Sequence, residues 1–270
     1  MEKINKQVKI AWYGIHTGEE PPLSPAGGIF FSACNLHCVF CQNYQISQEN
    51  KGDFYNIEQL AQIMLDLQTQ GAKNIDLVTP TLWSKQIKEA IILAKKQNLT
   101  IPIVWNSNAY EDVKIIEEMA GLVDIYLPDF KYSRDEIAFK YSGVKNYFMT
   151  AKNAILAMYK QVGLLKEKNG VASKGIIIRH LVLPNNLENS FGVLAEIAKI
   201  DNKIHISLMN QYSPLHKAKE FSEINCTVSK KDFQKVYDHL LELGFENGWV
   251  QEESSQENLI PDFNKKNPFN

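Results

Sequence analysis

Arginine is almost missing from this chain. Only Arg134 and Arg179 occur among 29 basic residues. Basic runs interleaved with aromatics are missing too, and the formal net charge is −2, so an electrostatic nucleic-acid binder is excluded. No stretch approaches the roughly 18 consecutive apolar residues of a membrane span. The opening residues hold no apolar signal core. These features point to a cytoplasmic protein without a membrane or nucleic-acid partner. Cysteine is scarce as well: there are four in 270 residues. A reducing compartment makes a structural disulfide an unlikely use for them. No low-complexity segment, linker or repeat of sequence divides the chain. The hydrophobic content, 44%, suffices for one large core. The reading is a single domain over 1–270, with a core of about 27–250 and peripheral segments at 1–26 and 251–270.

What is present is a repeat of pattern. Short β-branched apolar runs at 29–32, 75–79, 101–105, 123–127, 175–183 and 203–209 read as strands, with a last short one near Trp249. Between them, residues 57–70 place Ile57, Leu60, Ala61, Met64 and Leu67 on one helical face, and 84–97 do the same with Ile87, Ala90, Ile91 and Ala94. Further helices fit 111–120, 147–166, 190–200 and 230–243. Strands alternating with helices imply an α/β fold with a parallel sheet and crossover helices. A closed or partly closed barrel and an open doubly wound sheet both satisfy the pattern. In either, functional groups gather at the carboxyl ends of the strands.

Those ends are chemically rich. They carry Thr79-Pro80-Thr81, Trp105-Asn106-Ser107-Asn108, Pro128-Asp129-Phe130-Lys131, Arg179-His180 and Asn210-Gln211-Tyr212. Helix capping and turns account equally well for Ser107 and Asn108. Asp129 and Lys131 also fit an exposed ion pair. Arg179 interrupts the apolar run Ile176-Ile177-Ile178 and needs an anionic partner, from the protein or from a ligand.

The first strand runs into "GGIFFSACNLHCVFCQN", where Cys34, Cys38 and Cys41 fall within eight positions and Cys226 is left alone. Clustered thiolates select zinc, copper(I) or iron–sulfur centres. A structural zinc site wants four protein ligands, and only His37, crowded against Cys38, offers a fourth. Inert buried thiols are a further reading. A cubane iron–sulfur cluster usually takes four cysteines; three would leave one iron open, as in a catalytic metal site.

The spacing CxxxCxxC in "CNLHCVFC", with an aromatic before the last cysteine, resembles the signature of the radical SAM superfamily. The resemblance implies a partial (β/α)6-type TIM barrel. It also implies a 4Fe-4S cluster on Cys34, Cys38 and Cys41, with S-adenosylmethionine chelating the open iron and Phe40 beside its adenine. "FFSACNLHCVFCQN", "DIYLPDFK", "IRHLVLP" and "EEPPLS" are similar to the branch related to pyruvate formate-lyase activating enzyme, and to its uncharacterised PflX-like members. By that likeness Asp129, Lys131 and Arg179 lie near the methionine moiety. Asn43 and Asn106 join the cofactor-binding ring, and Thr79 and Thr81 stand where the activating enzymes have Gly-Gly-Glu for the cofactor amino group. With one cysteine beyond the triplet, a second four-cysteine cubane is excluded.

The likeness further implies an electron donor such as flavodoxin or ferredoxin. Reductive cleavage of S-adenosylmethionine would yield a 5′-deoxyadenosyl radical that abstracts hydrogen from a substrate. The substrate is a glycyl-radical protein on one reading and a small molecule on another. A non-enzymatic iron–sulfur or zinc protein is the third. His180, Asn210, Tyr212 and His216 are candidates to face the substrate, each with an ordinary structural explanation as a satisfied hydrogen bonder.

Overall fold

The computed structural model describes residues 6–250 and 260–269. Its strands are β1 (Gln7–His16), β2 (Ala26–Phe31), β3 (Asp53–Asn56), β4 (Ile75–Val78), β5 (Ile103–Ser107), β6 (Ile125–Pro128), β7 (Lys166–Lys168), β8 (Val171–Leu181), β9 (His205–Met209) and β10 (Gly248–Val250). The helices are α1 (Tyr44–Ser47), α2 (Ile57–Thr69), α3 (Ser84–Lys96), α4 (Val113–Glu118), α5 (Asp135–Ser142), α6 (Tyr147–Val162), α7 (Leu187–Ile200) and α8 (Lys230–Glu242). No helix among the described residues is long and apolar enough to cross a membrane.

The strands form one sheet in the order β10-β9-β8-β6-β5-β4-β2-β1-β3, with β7 attached to β8. From β2 through β10 along that path every pairing is parallel. β1 and β3 add antiparallel strands at one edge. The ends β3 and β10 do not pair, so the sheet is mixed, mostly parallel and not closed. This is the partial-barrel arrangement of the α/β expectation. The expected strands all form, displaced by up to a few residues, and the expected helices form with shorter or longer ends. The additions β1, β3, β7, α1 and α5 had no clear periodic signal.

The helices pack on one face of the sheet because their apolar stripes demand it. In α2, Ile57, Leu60, Ala61, Ile63, Met64 and Leu67 are buried, and Asn56 caps the first turn in a reciprocal capping box with Gln59. In α3 the buried stripe is Ile87, Ala90, Ile91 and Ala94. α6 stops at Gly163, whose φ of 71° terminates the helix without steric penalty.

Side chains alternate across each strand, and this sorts their roles. Trp105, Tyr126, Ile176 and Ile178 join the large core beneath the helices. Val104, Ile125, Leu127 and Ile177 point the other way and make a small second core with Leu23. Leu23 arrives from the segment between β1 and β2. Residues 1–26, expected at the periphery, therefore contribute in their described part to the middle of the fold, because the long helices leave the sheet's second face to be covered by other segments.

The same alternation separates Arg179 from His180. His180 faces the helix layer, fully buried, with Nδ1 2.8 Å from the Phe130 carbonyl and Nε2 2.9 Å from Ser190 Oγ on α7. Burial lowers its pKa from 6.5 to about 4. Between those values the unfolded chain takes up a proton that the native imidazole refuses. His180 thus favours the fold above pH 6.5, and its contribution of about 3 kcal/mol is lost as pH falls towards 4. Chemical denaturation across that window should show this loss, and His180→Gln should flatten the dependence whatever its offset in overall stability.

Candidate metal and cofactor site

The loop after β2 is bent by Ala33, a non-glycine residue at φ 67°. Its amide donates to the Ile46 carbonyl at 2.9 Å, which ties the loop to α1. The three thiols each meet a polar neighbour. Cys34 Sγ accepts from the Leu36 amide at 3.4 Å and from Asn108 Nδ2 at 3.3 Å. Cys38 Sγ lies 2.9 Å from Ser142 Oγ, which itself lies 2.6 Å from the Tyr132 hydroxyl. Cys41 Sγ lies 3.3 Å from Ser47 Oγ on α1. Burial pushes Cys34 up to about 11 and Cys41 up to about 12, and the proximity of Cys38 adds to both; Cys38 is raised by burial as well. Three thiolates together on such a floor call for a compensating cation, and a bound metal reverses the direction of these shifts.

The three cysteines line one cavity of about 220 Å³. Of the other residues singled out in the sequence, Phe40, Asn43, Thr79, Asn106, Asp129, Lys131 and Arg179 also line it. Thr81 does not. Its hydroxyl donates to Glu111 Oε1 at 2.9 Å, beside Trp105 Nε1 at 2.9 Å on the same oxygen. Ser107 Oγ donates to Glu111 Oε2 at 2.5 Å. Glu111 is a buried carboxylate that holds the β4 and β5 ends together. No local motif marks it, so it was not anticipated.

Lys131 Nζ contacts Asp129 Oδ2 at 2.5 Å, and the pair is largely buried. Burial alone would lower the lysine pKa; Asp129 outweighs that and the ammonium sits above its ordinary range. One phenol fixes this segment: the Tyr147 hydroxyl accepts the Lys131 amide at 2.9 Å and reaches the carbonyls of Asn108 and Asp129 at 3.1 and 3.0 Å. Arg179 meets protein carboxylates. Its Nε donates to Glu20 Oε1 at 2.8 Å and its Nη2 to Glu20 Oε2 at 2.6 Å and to Glu19. Burial works against the guanidinium, yet Glu19 and Glu20 hold its pKa well above the usual value. Of the two partners open to Arg179, a protein or a ligand carboxylate, the structure supplies the protein's, and Lys131 is paired with Asp129. The acidic pair Glu19-Glu20 was quoted in the sequence without this role; a sequence separation of 159 residues hides such a pair.

Asp76 lies on β4, fully buried, with Oδ2 3.3 Å from Asn106 Nδ2 and no hydrogen-bond partner for Oδ1. Burial and then repulsion from Glu19 raise its pKa well above the carboxylate range. Asn43 Oδ1, on the cavity wall, is likewise buried without a partner. Phe40 packs edge-on to Tyr212 at 5.6 Å, and the Tyr212 hydroxyl donates to the Ile224 carbonyl at 2.7 Å. His216 stacks on Tyr44 at 4.7 Å. Neither His216, His180 nor Asn210 lines the cavity, and Cys226 is exposed and away from it.

Among the described residues no three His, Cys, Asp or Glu side chains converge on a single metal-ion position. A cubane does not require that, because each thiolate binds a different iron. Three soft donors on one cavity floor, with a polar wall holding an unpartnered amide oxygen, fit a cluster carrying a polar chelating ligand.

The family model of the radical SAM superfamily matches residues 29–196, more than half of the chain. The uncharacterized protein MJ0674 of Methanocaldococcus jannaschii is 35% identical over 246 residues, covering 85% of this chain and 67% of that protein. Among solved structures, Streptococcus suis SuiB bound to S-adenosylmethionine aligns with a TM-score of 0.57 at 13% identity, over 82% of this chain and 48% of SuiB. SuiB bound to its precursor peptide SuiA aligns at 0.56 and 14%, over 82% and 47%. HydG, a maturase of the FeFe-hydrogenase, aligns at 0.55 and 14%, over 81% and 48%. At these identities the likeness is one of fold, and the chain spans about half the length of those structures.

Because the Thr81 hydroxyl is committed to Glu111, Thr81→Val should lower stability by about 1–3 kcal/mol. Its affinity for S-adenosylmethionine should stay within about twofold of wild type, a change of about 0.4 kcal/mol. Denaturation and equilibrium dialysis measure the two.

Proposed function

The chain belongs to the radical SAM superfamily, and from that premise we propose that its cysteine pocket reductively cleaves S-adenosylmethionine to abstract hydrogen from a substrate, in the manner of the activating enzymes of glycyl-radical proteins. The observation that carries this reading is the arrival of Cys34, Cys38 and Cys41 on the floor of one cavity whose wall is Thr79, Asn106, Asp129 and Lys131. When bound, the 4Fe-4S cluster and the sulfonium cofactor supply the electron and the carbon-centred radical that the protein itself cannot make.

The chain's own residues bind, orient and insulate. Cys34, Cys38 and Cys41 are the iron ligands, and Ser142, Ser47 and Asn108 orient their sulfurs. Lys131, steadied by Asp129 and Tyr147, meets the cofactor's carboxylate, and Asn106 and Asp129 its polar remainder. Phe40, held edge-on by Tyr212, offers its ring to the adenine. Thr79 and the unpartnered Asn43 Oδ1 take the amino group in place of a Gly-Gly-Glu motif. Arg179, neutralised by Glu19 and Glu20, shapes the cavity wall. A flavodoxin or ferredoxin in the cytoplasm is the proposed electron source. A polypeptide substrate is supported by the motif likeness to activating enzymes, and a peptide-bound neighbour shares the fold.

Anaerobic reconstitution with iron and sulfide tests the reading. Wild type should gain a cubane spectrum, change its electron paramagnetic resonance on adding S-adenosylmethionine, and release 5′-deoxyadenosine once reduced. Cys34→Ala, Cys38→Ala and Cys41→Ala should each lose the cubane signal, while Cys226→Ala keeps it. A full cluster in all three triplet variants refutes the ligand assignment. Lys131→Ala should keep the cluster and weaken cofactor binding about tenfold or more, the loss expected for one charge-assisted contact.

A further inference from the structure

Residues 260–269, expected to be peripheral, sit against the cysteine pocket. Pro261 and Phe269 line its cavity. Phe269 packs on three residues of the first two strands: His16 at 4.3 Å, Trp12 at 5.1 Å and Phe30 at 5.3 Å. Phe263 packs on Phe30 at 5.8 Å. Beneath them Phe30, Ile46 and Val78 form a small buried cluster of their own, separate from the main core. The segment folds back on itself, with the Asp262 amide donating to the Pro268 carbonyl at 2.9 Å. It therefore presents two aromatic rings from one compact loop.

Three observations bear on what this loop does. It lies over β1, β2 and β4, beside the cysteine loop that follows β2. Its polar contacts with the rest of the chain include Gln45 Nε2 donating to Asp262 Oδ1 at 3.2 Å, the Phe263 amide donating to Gln45 Oε1 at 2.7 Å, and Lys51 reaching Asn264. Residues 264–267 are exposed. Finally, the cavity left under the seated loop is about 220 Å³. Pockets for a single drug-sized ligand run to roughly 300–1,000 Å³, and this one must admit a hydrogen donor beside the cofactor. The loop is thus a polypeptide in a seat that opens onto the reaction cavity, anchored by its two rings.

We propose that the aromatic seat of Trp12, His16, Phe30 and Val78 is the docking groove for a polypeptide loop of the hydrogen-donating substrate, and that residues 260–269 occupy it in cis until the substrate displaces them. This rests on the reading of the pocket as a radical SAM site. A self-closed polypeptide loop anchored by two phenylalanines already fits that seat. A tethered segment competes at an effective concentration of the order of millimolar, so a free peptide of equal affinity is largely shut out of the wild-type protein.

The test uses the full-length chain and a synthetic peptide of sequence PDFNKKNPFN, residues 261–270. Full-length Phe263→Ala/Phe269→Ala should bind the peptide at least tenfold more tightly than wild type by calorimetry. A peptide with both phenylalanines replaced by alanine should not bind. Asp262→Ala in the full-length chain, which removes the loop's bond to Gln45 and leaves the seat and the peptide intact, should give a gain in the same direction and serves if the double variant misfolds. Equal affinity of wild type and folded variants, or binding indifferent to the phenylalanines, overturns the proposal. No binding to any of them does so too, and makes the loop a fixed wall of a small-molecule chamber. Binding is read without cluster or cofactor, so absence of 5′-deoxyadenosine would count against the proposed function and not against the groove.

Discussion

The strict alternation of side chains across parallel strands is the constraint on which this molecule depends. One face of the sheet is committed to helices, and its residues are large and apolar. The opposite face is not covered by the long helices, so it is filled by whatever the chain can bring: Leu23 towards one end, Ile46 of the short α1, and charged and polar groups towards the cysteine loop. Arg179 and His180 are adjacent in sequence and occupy different worlds for this reason alone. One enters a charged cavity; the other is a neutral, hydrogen-bonded strut against α7.

A cavity of this kind is electrostatically demanding. Glu19 on the wall, and Glu20 and Asp76 behind it, lie near a single guanidinium, and Asp129 faces Lys131, so carboxylates outnumber cations in and just behind the walls. Buried pairs of this sort contribute little net stability, but removing one partner strands the other. The raised pKa of Asp76 is one outlet for the imbalance, since a protonated carboxyl carries no charge. A positively charged sulfonium is another, and the acidic excess suits such a ligand.

The parts of the fold governed by local periodicity were legible in the sequence. The stripes of α2 and α3 appear as read, and the three closely spaced cysteines do share one loop and one cavity. Glu111, Glu20 and Tyr147 were not legible. Each does its work through partners that lie close in space, yet a lone glutamate or tyrosine has no pattern around it. Thr81 shows the opposite failure: its place at a strand end suggested ligand contact, while the buried Glu111 one strand away had already claimed its hydroxyl. β1 and the edge strand β3 escaped because the pairing of β1 shifts register between Ile10 and Trp12 and β3 is four mostly exposed residues. The roles of 6–26 and 260–269 escaped because both reach the cavity by tertiary packing alone.

The Tyr147 hydroxyl deserves a last consideration as a mechanical joint. A single oxygen on α6 rivets the backbones that follow β5 and β6 to each other. Any drift of that helix is therefore transmitted to Lys131, and to the residue whose amide steadies Cys34, in one movement. A substitution that shifts α6, even one far from the cavity, is thereby felt at the cysteine loop, a restraint that the helix's own sequence does not disclose.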